Sequence, residues 1–186
     1  MADDSGFEAR KLLRAERSSA LATAADGGQP FASLVTHVCA PDFSVLLLLS
    51  DLSEHTRHLR AEARCSLLVS GAPEGVNPQT APRVTVTGLA EQVDDGVLKA
   101  RFLAVHPYAA LYADFGDFHL WRIRPMAALL VGGFARAVRV RAADLTPDQP
   151  PWPRSRRPRR GSSGTVIATT RMRWLPSRAR WGIGGW

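Results

Sequence analysis

The chain is poor in cysteine, with two in 186 residues. Cys39 and Cys65 fall in different predicted strands and supply neither a disulfide framework nor zinc-ligand spacing. Both are expected to be reduced and buried, which fits a cytoplasmic protein. Long apolar runs are also lacking. A stretch such as Val45–Leu49 is far too short to span a bilayer, so no membrane partner is expected. Met1–Arg17 is mixed in charge, without the apolar core of a secretory signal. No Gly-x-Ser-x-Gly nucleophile motif occurs, and no histidines or acids stand at metal-ligand spacing. What remains open is chemistry carried by a cofactor, with the protein positioning and tuning it.

Charge is missing from most of the chain as a net quantity. Residues 1–142 hold 15 basic and 15 acidic side chains. Residues 143–186 hold nine arginines against two aspartates, the whole net charge of +7, and no lysine, glutamate or histidine. Four of the five tryptophans lie there too. So sharp a shift places a boundary near Leu145–Pro150 and divides the chain into a domain, 1–142, and a basic tail, 143–186.

Within the domain, Ser5 and Glu8 have capping-box spacing, and a short helix is predicted through about Arg17. Ser18–Thr23 and Pro30–Val38 read as strands joined by an Asp26-Gly27-Gly28 turn. Phe43–Leu49 is apolar on both faces and reads as central. Asp51 and Glu54 form a second capping-box pattern opening a helix to about Ala63, and Cys65–Ser70 is the next strand. Arg83–Val93 is a strand whose Gly88 marks a bulge or a close approach. Asp95–Val105 is helical, His106 stops it, and Pro107 opens a short helix. Phe118–Ile123 and Ala127–Val131 are predicted as two strands separated by Pro125, and Phe134–Val140 completes the sheet. About eight strands in mostly meander order, with few helices, predict a mainly β antiparallel barrel whose short helices cover its openings.

The richest stretch is Ser50-Asp51-Leu52-Ser53-Glu54-His55-Thr56-Arg57, where a strand runs into a helix N-terminus. Free backbone N–H groups there favour an anion, and hydroxyls with an arginine beside them form a phosphate cradle. The same residues also read as an ordinary capped helix with a solvated first turn. His119 and Trp121, two apart on a strand, share a face.

Ser50–Arg57 resembles the strand-to-helix element that binds the FMN phosphate in the pyridoxamine-phosphate-oxidase-like split-barrel family. The branch it is most similar to includes the HugZ-type haem-degrading proteins. Glu16–Val38, Arg83–Gly88, His106-Pro107-Tyr108, Asp117–Trp121 and Gly132–Ala137 resemble further signatures of the family, in the same order. The resemblance implies an FMN-binding split β-barrel, a homodimer with FMN at the subunit interface, and a flavin-dependent oxidoreductase acting on a small-molecule substrate. It places Ser33 and Thr36 by the flavin or its ribityl chain, and Ser50, His55, Thr56 and Arg57 on the phosphate. Arg83 falls at the flavin edge, and Arg136 near flavin or substrate from the partner side. Phe31–Thr36 carries no arginine or lysine, unlike the oxidases acting on pyridoxamine phosphate, so vitamin B6 oxidation is not expected. Haem is the alternative cofactor.

In the haem-degrading branch a histidine of the segment after the barrel is a haem ligand, yet no histidine follows His119 here. The tail, with Arg154–Arg160 dense in arginine, reads as a basic arm able to contact phosphates and stack on bases, which is the nucleic-acid alternative. A shifted reading frame is preferred over that partner. With suitable synonymous codons, Gly161–Trp174 read in another phase gives Leu-Ile-Gly-His-Gly-His-Arg-Asp-His-Ala-Asp-Ala-Val, similar to the histidine-rich segment of that branch. Haem degradation is then expected to be lost or impaired in the chain as it stands.

Overall fold

Alternation of buried and exposed residues builds a hairpin from Ser18–Ala24 (β1) and Pro30–Thr36 (β2), paired Ser18 to Thr36 through Ala24 to Pro30. Gly27 and Gly28 both take positive φ in the turn, where a side chain would be strained. The computed structural model describes residues 5–132 and 136–146. The basic arm and the shifted-frame segment lie outside the described residues, as does Phe134, the start of the last predicted strand.

The remaining strands are Val38–Cys39 (β3), Val45–Ser50 (β4), Arg64–Ser70 (β5), Arg83–Gln92 (β6), Phe118–Val131 (β7) and Ala137–Arg141 (β8). They form one curled antiparallel sheet in the order β2-β1-β5-β6-β7-β4-β3, with β8 also on β7. The mainly β split barrel is therefore as expected, but the meander is interrupted. Two pairings, β1 with β5 and β4 with β7, join strands that are not consecutive.

Pro125 does not divide β7. The strand runs through it for 14 residues, first paired with β4 at Phe118–Ile123 and then with β8 at Ala127–Val131, with β6 along its other edge. Proline cannot donate to a ladder and is tolerated at a bulge. Here the register slips between Thr87 and Gly88, so Met126 has no partner while Pro125 stands opposite Gly88.

Among the described residues the α-helices are Ser5–Ala15 (α1), Glu54–Ala61 (α2), Gly96–Val105 (α3) and Ala142–Leu145 (α4). Leu21, Leu47, Leu67, Val84, Val86 and Ile123 are fully buried in the main core, which Leu13 of α1 and Leu145 of α4 close. A second cluster gathers Val38, Leu46 and Leu120 under Phe102 of α3. Cys39 and Cys65 are buried free thiols in β3 and β5. Among the described residues no helix is long and apolar enough to cross a membrane.

Candidate functional site

The strand β4 ends at Ser50 and α2 begins four residues later at Glu54, its N-cap being Ser53. The capping box expected from Asp51 and Glu54 does not form. Ser53 makes no side-chain cap, Asp51 instead pairs with Arg60 at 2.5 Å and His119 at 3.2 Å, and Glu54 pairs with Arg57. The consequence is a helix start with its donors unspent. The amides of Thr56 and Arg57 bond back to the Ser53 carbonyl, but those of Glu54 and His55 have no acceptor among the described residues. The Thr56 hydroxyl is buried without a partner.

An open groove of about 310 Å³ runs past this helix start. Thr36, Ser50, Ser53 and His55 are its polar lining, and Leu34, Leu48, Tyr108, Tyr112 and Phe118 its apolar wall. Tyr112 and Phe118 pack with ring centroids 4.7 Å apart. Burial holds the His55 pKa below 6.5, and the neighbouring His58 adds to the effect. A neutral imidazole thus faces the groove at neutral pH. The Ser50 hydroxyl donates to Asp117 at 2.6 Å and accepts from the Leu52 amide at 3.1 Å, so it braces the strand-to-helix turn rather than offering a free donor.

Of the residues singled out by sequence, Thr36, Ser50 and His55 line the groove, and Thr56 and Arg57 stand on the same helix start. Ser33 does not line it. Residues three apart on a strand point to opposite faces, and the Ser33 hydroxyl is buried without a partner. Arg83 is half-buried and donates to the carbonyls of Gln79 and Ala81, stapling the turn before β6. It pairs with Val131, the far end of β7 from Phe118, on the order of 40 Å along an extended strand. Arg136 lies beside the Gly132 amide and pairs with Glu8 at 3.3 Å. Sequence reading does not single out Tyr112. It is the C-cap of the short helical turn that carries Tyr108, and only the packing of that turn brings both rings to the groove.

His119 and Trp121, expected to share a face, divide its depth between them. Trp121 is buried in the core, while His119 is half-buried against Asp51. Residues 7–132, which hold β1 to β7 and the groove, match the pyridoxamine 5'-phosphate oxidase family. The chain belongs to that family. Its relatives within and around the family include the non-canonical heme oxygenase HOZ, chloroplastic, of Arabidopsis thaliana, 38% identical over 113 residues. That match covers 59% of this chain and 34% of the relative, so the chain spans about a third of the length of the curated protein it resembles. A heme binding protein from Mycobacterium smegmatis superposes with a TM-score of 0.72 at 29% identity, covering 76% of this chain and 59% of that one. Campylobacter jejuni ChuZ shares the fold, with a TM-score of 0.67 at 17% identity over 75% of this chain and 60% of its own. Within the pyridoxamine 5'-phosphate oxidase family, then, this member has a groove polar at one end and aromatic along its wall.

Proposed function

We propose that this chain binds FMN in the groove at the start of α2 and acts, as a homodimer, as a flavin-dependent oxidoreductase on a small molecule. The observation that carries the reading is the uncapped start of α2. Two free amides and the Ser53 hydroxyl stand together at the positive end of a helix dipole, and the Thr56 hydroxyl of the same first turn is buried without a partner. Such a donor set fits a phosphate. Arg57 reaches it by exchanging its exposed pairing with Glu54. Tyr108, Tyr112, Phe118 and Leu48 offer a surface on which a planar ring system is held. Bound flavin supplies the electron transfer, while the chain's own residues fix its phosphate, exclude water from one ring face and keep His55 neutral beside it.

A homodimer is supported by the outer face of the sheet. Leu34, Ala20, Leu68, Thr85, Leu129 and Arg139 form one row across six strands by successive pairings. Leu34 is 80% exposed, Leu129 41% and Leu68 39%. A row of exposed leucines on one face is what an interface between copies buries. Arg83 pairs with Val131, at the end of β7 opposite Phe118 of the groove wall, and a role for it at the flavin edge is assigned to the second subunit.

Haem is the second reading, favoured by the relatives named above and by His55, which presents a neutral imidazole to the groove. Gel filtration of the purified chain after adding FMN, or separately haem, separates the two. A flavin spectrum travelling with a dimer supports the first reading. Retained haem, reduced in the His55→Ala variant, supports the second. Retention of neither overturns both.

A further inference from the structure

A second cavity, of about 140 Å³, lies apart from the flavin groove, between the end of α1, the β2–β3 junction and α3. Its charged lining is Arg14, Arg17 and Arg101, with Glu16. None of the three arginines makes an ion pair among the described residues. Arg14 lies 4.3 Å above the ring of Phe43, and Arg101 gives its Nε hydrogen to the Cys39 carbonyl at 2.7 Å. Glu16, the one carboxylate, has its Oε1 beside Gly71, 3.6 Å from where a Cβ on that glycine would stand.

His37 forms the buried end of the cavity and is 0% exposed. Its Nε2 is 3.1 Å from the Leu13 carbonyl. A carbonyl only accepts, so Nε2 carries the hydrogen and Nδ1 is left with a lone pair. That Nδ1 is buried without a partner. The neighbouring groups do not supply one. His106 donates Nε2–H to the His37 carbonyl at 3.0 Å, and the Cys39 thiol, its pKa pushed up to about 11 by burial, donates to the Leu13 carbonyl. A buried ring nitrogen with no partner is costly, and three guanidinium groups against one carboxylate leave the cavity mouth with a net positive charge.

We infer that this cavity binds a small oxyanion, inorganic phosphate or the phosphate of a small ester, between Arg14, Arg17 and Arg101, with a hydrogen bond to His37 Nδ1 at its buried end. The volume admits one tetrahedral oxyanion and little more. Guanidinium forks match its oxygens, and Nδ1 accepts from a P–O–H group. An anion without a proton, such as sulfate, enters only with His37 protonated. Burial opposes that proton, and His106 and Arg17 add to the effect; the other groups facing His37 are Arg14 on α1, Glu16 just after it, Cys39 on β3 and Arg101 on α3. Sulfate affinity therefore rises as pH falls, by up to about tenfold per pH unit, while phosphate brings its own proton.

The test is calorimetric titration of the full chain with inorganic phosphate, glycerol phosphate, sulfate and chloride at matched ionic strength. The expected result is one saturable phosphate site, weakened about tenfold or more by Arg17→Ser and by Arg101→Gln and unchanged by Arg57→Ala. Tighter glycerol phosphate names a small ester as the ligand, and tighter inorganic phosphate names the free ion. Equal binding of phosphate and chloride overturns the inference. So does phosphate binding indifferent to Arg17 and Arg101, which assigns it to α2 or to the arginines of the tail. Arg17 is exposed, so Arg17→Ser decides the matter even where Arg101→Gln does not fold.

Discussion

Gly88 of β6 faces Pro125 of β7 across a slipped register, and a Cβ on Gly88 would lie 2.5 Å from the Arg124 carbonyl oxygen and 2.7 Å from Ile123 Cγ2. The missing side chain and the missing N–H are thus one device. It keeps β7 continuous past a residue that cannot join the ladder and leaves one strand to serve both halves of the sheet. Gly88→Ala must move backbone, and is expected to cost about 1–3 kcal/mol. Denaturant unfolding with an unchanged midpoint would remove this account of the bulge.

At α2, opposite charges on neighbouring residues give opposite outcomes. Arg57→Ala should weaken FMN binding by about 1.5–3 kcal/mol, through loss of one charge-assisted contact. Glu54→Gln frees Arg57 and removes a negative charge from the helix start, and should tighten it. Flavin fluorescence titration measures both. The same sign of change in both variants would place the phosphate elsewhere.

Leu34→Asp tests the proposed interface. The side chain is 80% exposed, so the subunit should keep its fold while a charge enters the shared face. Light scattering should show the dimer dissociating to monomers. A wild-type protein already monomeric, or a variant still dimeric, places the interface elsewhere.

Stability should fall as pH is lowered. Burial holds the pKa of His37 below 6.5, with His106 and Arg17 adding to the shift and the bond to Leu13 opposing it; His55 is lowered in the same direction. Below 6.5 the unfolded chain takes up protons that the fold does not, so stability is fully present above that value. It declines with falling pH until the folded pKa values are reached. In chloride buffer the melting temperature should be level above about pH 6.5 and drop as pH falls below it. His37→Gln, which keeps a donor for the Leu13 carbonyl, should shallow the slope.

Leu145 is 1% exposed in the main core, and Arg10 holds the adjacent Asp144 carbonyl at 2.5 Å. Leu145→Ala should cost about 2–5 kcal/mol. Truncation after Ala142 should be at least as damaging, and both are read from thermal melts.

Local chemistry wrote much of this molecule into the sequence. The β1–β2 hairpin, its glycine turn and the stop of α3 at His106 were legible because each depends on backbone freedom within a few residues, and Gly88 was legible as a bulge or close approach though its partner Pro125 was not. The run Ser50–Arg57 pointed to the candidate site for the same reason: a strand handing over to a helix exposes N–H donors whatever surrounds it. Tertiary structure alone decided the rest. Strand pairing across distant segments lets β7 pass through Pro125. Ion pairing with Arg60 and Arg57 draws Asp51 and Glu54 away from the cap. Alternation along β2 sends Ser33 to the side opposite Thr36. Above all, Arg14, Arg17, His37 and Arg101 come from α1, the link that follows it, the β2–β3 junction and α3, and no spacing in a linear chain announces that they meet. Side-chain convergence is set by how elements pack, and packing is the term that short-range sequence patterns do not carry.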